Sequence, residues 1–144
     1  MTQQRSANEI AELLLHLGSG AEEADPAAFD AVLADDITWE LMGGEGLDYA
    51  RTYRGKAEVY KEYMGKLQAK IDHARSTTST VEVMADDARG MVAVRNHDDL
   101  ALHDGGRLEV DVLLLMRVAE GKVVSIREFM DLRPVEAAFG TSLG

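Results

Sequence analysis

The sequence predicts an α+β fold in which a curved antiparallel β-sheet forms a cone around N-terminal helices and encloses an apolar cavity. Two observations predict this fold. Segments with helical spacing of apolar residues occupy the first half of the chain, ahead of the segments rich in β-branched residues. Residues 88–131 contain three such β-rich runs, joined at Asp104-Gly105-Gly106 and at Ala119-Glu120-Gly121. Helices gathered on one face of such a sheet leave a natural small-molecule site between the layers.

Three helices are predicted from the spacing of apolar residues. Residues 8–18 form the first, with Asn8 as a suitable cap and Gly18 as a suitable end. The second begins with Asp25 as N-cap and Pro26 at the first helical position, and it ends near residues 35–36. The third spans about residues 56–69 and presents one apolar side made of Val59, Tyr60, Tyr63, Met64 and Leu67.

The remaining segments are predicted to be strands and connections. Residues 37–42 alternate like a short strand, and residues 73–84 begin the sheet, with a turn at 85–88. Residues 43–55 contain four glycines and two tyrosines, which favours a loop that covers a pocket. Residues 134–144 are expected to form one helical turn and a tail.

Length and composition limit the classes of function. A chain of 144 residues is expected to form one domain, residues 1–144, with a core that needs no disulfide, and cysteine is absent. The net charge of −11 disfavours binding to nucleic acid and to anionic membranes. Neither a run of about 20 apolar residues nor a signal-peptide core is present, so a cytoplasmic protein is expected.

Ionisable residues inside the β-rich runs are the candidate functional residues. Arg95 and His97 share one face of their strand because side chains alternate, and Glu128 shares a face with Ile126 and Met130. Charged groups among apolar neighbours must pair, lose their charge or take part in chemistry. If His97 faces the cavity, Val110, Val112 and Leu114 are expected to face it as well, with Asp111 pointing away.

The chain resembles the nuclear-transport-factor-2-like superfamily over nearly its whole length. The resemblance rests on the order of elements and on three passages: ADDITWE at residues 34–40, YRGKAEVYKEYM at residues 53–64 and GKVVSIREFMD at residues 121–131. This superfamily includes ketosteroid isomerases, polyketide cyclases, limonene-type epoxide hydrolases, dehydratases and non-catalytic modules. The resemblance therefore implies the cone fold and leaves the activity open.

Two branches of the superfamily match the chain incompletely. The key carboxyls of ketosteroid isomerases fall at Leu41 and Leu114, so that chemistry is not expected. The Arg-x-Asp of limonene-type epoxide hydrolases matches residues 95–97 with His97 in place of Asp, and their closing motif has Glu128 in place of Asp. Epoxide hydrolysis with these two groups activating water therefore stays an alternative.

Polyketide cyclases of this fold, which use an acid–base pair in an apolar cavity without metal or cofactor, match best. The resemblance then implies that His97 is the base, Glu128 the acid or orienting group, and Arg95 the partner of an oxyanion. The predicted function is acid–base chemistry on a small apolar carbonyl compound in secondary metabolism. A structural ion pair of Arg95 with Glu128, and a non-catalytic ligand-binding or dimerisation module, are the alternatives.

The remaining candidates are wall and surface residues. The expected substrate-binding residues are Trp39, Tyr53, Tyr63, Met64, Val112 and Met130. The segment from Val110 to Met116 is rich in Val and Leu on both faces, which favours a homodimer formed through the sheet. Asp98, Asp99, His103 and Asp104 are interpreted as a solvated acidic turn and not as a metal site, and Asp131 is expected to be structural.

Overall fold

The computed structural model describes residues 4–17 and 27–144, and it confirms the predicted α+β fold. The helices are α1 (Ala7–Leu17), α2 (Ala27–Val32), α3 (three consecutive segments, Lys56–Glu58, Val59–Met64 and Gly65–Lys70) and α4 (Leu132–Phe139). A 3₁₀ turn spans His73–Arg75. The strands are β1 (Leu33–Leu41), β2 (Thr52–Arg54), β3 (Thr77–Asp86), β4 (Met91–Ala101), β5 (Arg107–Ala119) and β6 (Lys122–Phe129).

The six strands form one curved, unclosed sheet in the order β2-β1-β6-β5-β4-β3. Strands β3 to β6 form the predicted meander of four long antiparallel strands, whereas β1 runs parallel to β6. Burial alternates strictly along β5 from Leu108 to Leu114, so the sheet has an inner face and an outer face. The inner face and the helices share one apolar core, which includes Ile10, Val59 and Met116.

The boundary between α2 and β1 differs from the prediction. The helix ends at Val32 and the strand begins at Leu33, four residues earlier than expected. Leu33 is buried as the parallel partner of Val123, so its side chain packs as part of the sheet and not as part of the apolar side of a helix. The predicted helix signals at Gly18, Asp25 and Pro26 lie outside the described residues.

The glycine-rich segment 43–55 is not a simple loop. Its end forms the short edge strand β2, in which Tyr53 pairs with Trp39. Tyr49 and Tyr53 are buried, and their hydroxyls donate to the carbonyls of Gly140 and Tyr49, each at 2.7 Å. The tyrosines therefore anchor this segment to the core, and Tyr49 also borders a small cavity. That the segment covers a pocket stays a prediction.

Smaller differences concern the ends of elements. The stretch predicted as a strand from residue 73 opens with the 3₁₀ turn, and the following turn lies at residues 87–90. At the C-terminus α4 is longer than one turn, because Asp131 caps it: its Oδ1 accepts the backbone N–H of Arg133 at 3.0 Å. This is the structural role expected of Asp131.

Helix α3 contains a π-helical stretch, Val59–Met64, that decides which of its tyrosines is buried. The N–H of Gly65 donates to the carbonyl of Tyr60, five residues earlier, and closes the wide turn. As a result Val59 and Tyr63 are buried, while Tyr60 is 39% exposed. Tyr63 is thereby directed toward the sheet.

Gly65→Ala is expected to destabilise the protein, although Gly→Ala at an exposed helical position ordinarily stabilises by about 1 kcal/mol. A Cβ at this position would lie 2.5 Å from the carbonyl oxygen of Tyr60, closer than atoms tolerate. We expect a loss of about 1–3 kcal/mol in the free energy of unfolding, measured by urea denaturation. Ala69→Gly, at an exposed position of the same helix, is the control for ordinary helix propensity.

Candidate functional site

A cavity of about 570 Å³ lies between the helices and the inner face of the sheet. Its helical wall is mostly apolar, with Leu14, Phe29 and Leu67 among its members and Gln68 as a polar one. Its opposite wall is partly polar, and the polar side chains come from β3, β4 and β6. They are Thr77, Thr78, Thr80, Asn96, Asp98 and Glu128, and the segment just before β3 adds His73 and Ser76.

Glu128 is the buried carboxyl of this cavity. It lies on β6 opposite Leu114 and is 8% exposed. Its Oε1 accepts the indole N–H of Trp39 at 3.1 Å and the hydroxyl of Tyr63 at 2.6 Å. Both bonds end on Oε1, so Oε2 is the oxygen left for a ligand. Burial raises the pKa of Glu128 above its ordinary value of 4.5, and these two hydrogen bonds oppose the rise.

An aromatic cluster holds Glu128 in place. Trp39 lies on β1 beside Ile126 of β6, and the π-helical stretch of α3 directs Tyr63 against it. The ring of Tyr63 contacts Trp39 edge-on at 6.2 Å and stacks on Tyr53 at 4.9 Å. Because both donors come from rigid elements and packed rings, the carboxyl has a fixed orientation.

Asp98 is a second carboxyl of the cavity. It is half-buried, and its Oδ1 is enclosed without a hydrogen-bond partner among the described residues. Burial raises the pKa of Asp98 above 3.8, and the charge of Asp98 in turn contributes to the raised pKa of Glu128. Both carboxyls also border a smaller cavity of about 50 Å³. The two groups therefore share one apolar environment and influence each other.

Asn96 and Thr80 form a polar pair in the wall of the same cavity. They are direct partners across β3 and β4. The hydroxyl of Thr80 donates to Oδ1 of Asn96 at 2.9 Å, which leaves the amide nitrogen of Asn96 as a donor for a ligand oxygen. Thr78, the partner of Asp98, is exposed and lies at the rim.

The predicted cluster of Arg95, His97 and Glu128 is wrong, because Arg95 and His97 lie on the outer face of the sheet. Arg95 Nε donates to Glu82 at 2.8 Å, so it forms no ion pair with Glu128. His97 Nδ1 lies 2.8 Å from Asp111 and Nε2 lies 3.1 Å from Glu109, and these carboxylates, Asp111 first, raise the pKa of His97.

The physical reason is the register of β4 with β5. His97 stands opposite Asp111, whereas Asp98 stands opposite Val110 and Asn96 opposite Val112. Residues directly opposite each other share a face of the sheet. Val110, Val112 and Leu114 therefore share a face with Asn96 and Asp98, and the prediction that they share a face with His97 is wrong. Asp111 points away from the cavity, as predicted.

The predicted wall residues are divided between the cavities. Trp39, Met64 and Val112 border the larger one, and Tyr63 and Met130 border the smaller one. Tyr53 borders neither, since it lies behind Tyr63 in the core.

Sequence reasoning missed Asp98 and Asn96 as residues of the cavity. The signal that identifies them is the alternation of side chains along β4. Val92, Val94 and Leu100 are buried on one face of this strand, and Asn96 and Asp98 lie on the same face. The prediction of Arg95 and His97 rests on their chemistry, although their side chains lie on the opposite face of the strand from these apolar residues.

The acidic turn and the helices show neither a metal site nor a membrane span. Across residues 4–17 and 27–144, no group of three or more His, Asp or Glu side chains is placed to hold a metal ion. Asp99 instead accepts from Arg107 at 2.6 Å, and Asp104 accepts the N–H of Gly106 at 2.8 Å. In the same part of the chain, no helix is both long and apolar enough to cross a bilayer.

Glu128→Gln is expected to change how stability depends on pH. Because the pKa of Glu128 is raised on folding, the native state binds more protons than the unfolded state above pH 4.5. The contribution of Glu128 is therefore complete below pH 4.5 and is lost as pH rises through the raised pKa. Urea denaturation of both proteins at several pH values measures the difference.

Glu62→Gln is the matched control for this prediction. Lys66 lowers the pKa of Glu62, so its contribution is present above pH 4.5 and is lost as pH falls through the lowered pKa. The two variants should therefore show slopes of opposite sign. Equal slopes would contradict the burial of Glu128 as the cause.

Comparisons with known proteins agree with this architecture. A family model described as a SnoaL-like domain matches residues 18–126, and no curated protein matches the chain. An NTF2-like protein from Burkholderia thailandensis is 24% identical, with a TM-score of 0.72, over 94% of this chain and 98% of that chain.

Two further solved structures carry functional names. A candidate isomerase from Bacillus subtilis is 19% identical with a TM-score of 0.72, over 97% of this chain and 100% of that chain. A candidate SnoaL-like polyketide cyclase from Jannaschia is 18% identical with a TM-score of 0.67, over 96% and 98% of the two chains. At these identities the structural likeness establishes the fold, and the family model establishes the family: the chain belongs to the family of SnoaL-like domains.

Proposed function

We propose that this protein is a cofactor-independent acid–base enzyme that acts on a small apolar carbonyl compound, in the manner of a polyketide cyclase or an isomerase of secondary metabolism. The observation that carries the proposal is the presence of two carboxyls, Asp98 and Glu128, in one apolar cavity, both with a raised pKa. Carboxyls with raised pKa values in a cleft are suited to proton transfer near neutral pH.

The two carboxyls differ in ways that suggest different roles. Asp98 offers an oxygen without a hydrogen-bond partner among the described residues, which suits a base that takes a proton from the carbon beside the carbonyl. Glu128 is more deeply buried, which favours its protonated form, and its Oε2 then donates to the carbonyl oxygen. The product of this step is an enol.

The enol can then react in two ways. Return of the proton to a different carbon completes an isomerisation, and attack of the enol carbon on a second carbonyl of the same molecule completes a cyclisation. Neither path needs an oxidant, a reductant or a metal, since only protons and one carbon–carbon bond change place. The amide nitrogen of Asn96 is placed to hold a further oxygen of the substrate.

The lining of the cavity supports a neutral substrate. Leu, Met, Phe, Val and Trp side chains dominate it, neither Lys nor Arg is among the described lining residues, and His73 is the basic side chain that borders it. A carboxylate or phosphate ligand would lie near two acidic groups without a Lys or Arg to compensate it, which is unfavourable. An apolar ketone avoids this cost.

The alternatives receive less support from the same geometry. Epoxide hydrolysis was inferred from His97 beside Glu128, and His97 lies on the outer face. A binding module without catalysis has no need of two desolvated carboxyls, because burying them costs stability and such a module does not use their chemistry.

The proposal is tested with 2-tetralone, an apolar ketone with exchangeable protons beside its carbonyl. In D₂O, proton NMR measures how fast deuterium replaces these protons, and saturation transfer measures whether the ketone binds. We expect binding together with exchange faster than in a heat-denatured sample. Binding without faster exchange would contradict catalysis and would favour the binding module.

A further inference from the structure

The smaller cavity is a side pocket that adjoins the larger cavity at the two carboxyls. It has a volume of about 50 Å³. The residues that border both cavities are Leu67, Asp98, Leu100, Val112 and Glu128. Beyond them the walls of the side pocket are formed by side chains such as Leu41 and Leu108, which are buried. A molecule bound in the larger cavity therefore meets the side pocket beside Asp98 and Glu128.

The walls of the side pocket beyond the carboxyls are mainly hydrocarbon. Strand β5 contributes Leu108 and Val110 from the inner face of the sheet. Helix α4 contributes Val135 and Phe139, which lie one turn apart on the same side of the helix. Leu108, Val110 and Val135 are buried, and Phe139 packs against the core. A group that enters the side pocket therefore contacts hydrocarbon and is removed from water.

The two hydroxyl groups that border the side pocket are already used in hydrogen bonds. The hydroxyl of Tyr49 donates to the carbonyl of Gly140 at 2.7 Å, and the hydroxyl of Tyr63 donates to Glu128 at 2.6 Å. Among the described residues that line the pocket, the carboxyls of Asp98 and Glu128 are the main polar groups left for a ligand. Because a polar group placed deeper would lose its bonds to water without replacing them, the pocket favours an apolar group.

Helix α4, which forms part of the wall, is held at both ends. Asp131 caps its first turn. Just beyond its last residue, the carbonyl of Gly140 accepts the hydroxyl of Tyr49, and the carbonyl of Thr141 accepts the N–H of Asp48 at 2.9 Å. Packed walls that are anchored in this way keep the size of the side pocket fixed, as discrimination by size requires.

The volume of the side pocket limits what it can hold. An apolar cavity of about 150 Å³ takes up a benzene ring, which has six carbon atoms. At the same volume per carbon, the roughly 50 Å³ of the side pocket holds about two carbon atoms. A methyl or an ethyl group therefore fits, whereas a butyl group exceeds the space.

We propose that the side pocket restricts the substrate to ketones that carry at most a methyl or an ethyl group on the carbon that loses its proton. This inference rests on the proposed function, because that function places the reacting carbon within reach of Asp98 and its carbonyl oxygen beside Glu128. Since both carboxyls border the side pocket, a substituent on that carbon extends into it. The rest of the molecule lies in the larger cavity.

Two ketones that differ in this substituent, 1-methyl-2-tetralone and 1-butyl-2-tetralone, test the inference. Each carries one proton on the substituted carbon. Proton NMR in D₂O measures kcat/KM for the replacement of that proton, corrected for the uncatalysed rate, and saturation transfer at a series of ketone concentrations measures Kd. The wild type is expected to prefer the methyl ketone by at least about tenfold in both quantities, since a methylene that does not fit costs about tenfold or more.

Phe139→Ala is expected to reduce this preference by at least about tenfold, because it removes a ring from the wall of the side pocket. Phe139→Leu, a milder truncation that keeps an apolar side chain in the core, is expected to shift the preference in the same direction. Phe129→Ala is the matched control, since Phe129 lies on the outer face beside Leu113 and borders neither of the two cavities. Circular dichroism checks that each variant is folded.

Equal values for the two ketones with the wild type would overturn the inference, as would a preference that Phe139→Ala and Phe139→Leu leave unchanged. Absence of binding by both ketones would overturn it as well. A failure of the proposed function gives a different result, in which the methyl ketone binds without faster exchange. The ratio of the two Kd values, and its response to Phe139→Ala, then still decides whether the side pocket limits the substituent.

Discussion

Asp98→Asn is expected to slow the exchange of the 2-tetralone protons by about 10²- to 10⁴-fold, while His97→Asn changes the rate by less than about twofold. The two residues are neighbours on β4, and both are ionisable. Only Asp98 lies on the inner face, with an enclosed oxygen that has no partner within the described part of the chain. An amide at this position keeps the shape of the side chain and removes its basicity.

His97 is the control for Asp98 because the two residues are neighbours on β4 and lie on opposite faces of the sheet. His97 binds Asp111 and Glu109 on the outer face, so its loss should leave the shape of the cavity intact and reach Asp98 only through the charge of His97, which lowers the pKa of Asp98. Circular dichroism confirms that equal amounts of folded protein are compared. A rate that falls with His97→Asn and not with Asp98→Asn would show that the register of β4 in solution differs by one residue.

Tyr63→Ala is expected to be the most destabilising of the substitutions considered, with a loss of about 3–5 kcal/mol in the free energy of unfolding. Tyr63 is buried, stacks on Tyr53 and contacts Trp39, so truncation opens a void among three rings. It also removes the hydroxyl that donates to the buried carboxyl of Glu128. Urea denaturation measures the loss.

Two controls separate the ring from the hydroxyl. Tyr63→Phe keeps the ring and removes only the hydrogen bond to Glu128, which should cost about 0.5–1.5 kcal/mol because burial favours the neutral form of this acceptor. Tyr60→Ala changes a tyrosine of the same π-helical stretch that is 39% exposed and whose hydroxyl donates to Asp30 at 2.7 Å, and it should cost less than Tyr63→Ala. Equal losses for Tyr60→Ala and Tyr63→Ala would contradict the burial pattern that the π-helix imposes.

The fold was predictable because local signals and tertiary structure agree along most of the chain. The meander of β3 to β6 follows from β-branched runs and glycine turns, and helix α1 follows from its apolar spacing. The failures lie where tertiary contacts override local composition. Leu33 has the spacing of a helical residue, but it belongs to the parallel pairing of β1 with β6. Strand β2 lies in a glycine-rich stretch, and it forms because Tyr53 pairs with Trp39.

The site was predictable in part, for a similar reason. Glu128 and Trp39 were identified from residues that stand among apolar neighbours, and both border the cavity. The face of β4 that lines the cavity was not identified, because a shift of one residue in the alternation of side chains exchanges His97 for Asp98. Chemistry favoured a histidine, whereas the phase of Val92 and Val94 pointed to the aspartate. Burial pattern was the better guide on this strand.

The most direct measurement is the titration of the side-chain carboxyls by carbon-13 NMR, with Glu128→Gln and Asp98→Asn assigning the two resonances. We expect both to titrate above their ordinary values of 4.5 and 3.8, because burial disfavours their charged forms. Asp98→Asn should then lower the pKa of Glu128, since the charge of Asp98 contributes to its rise. A Glu128 that titrates at or below 4.5, unaffected by Asp98→Asn, would contradict a shared apolar site.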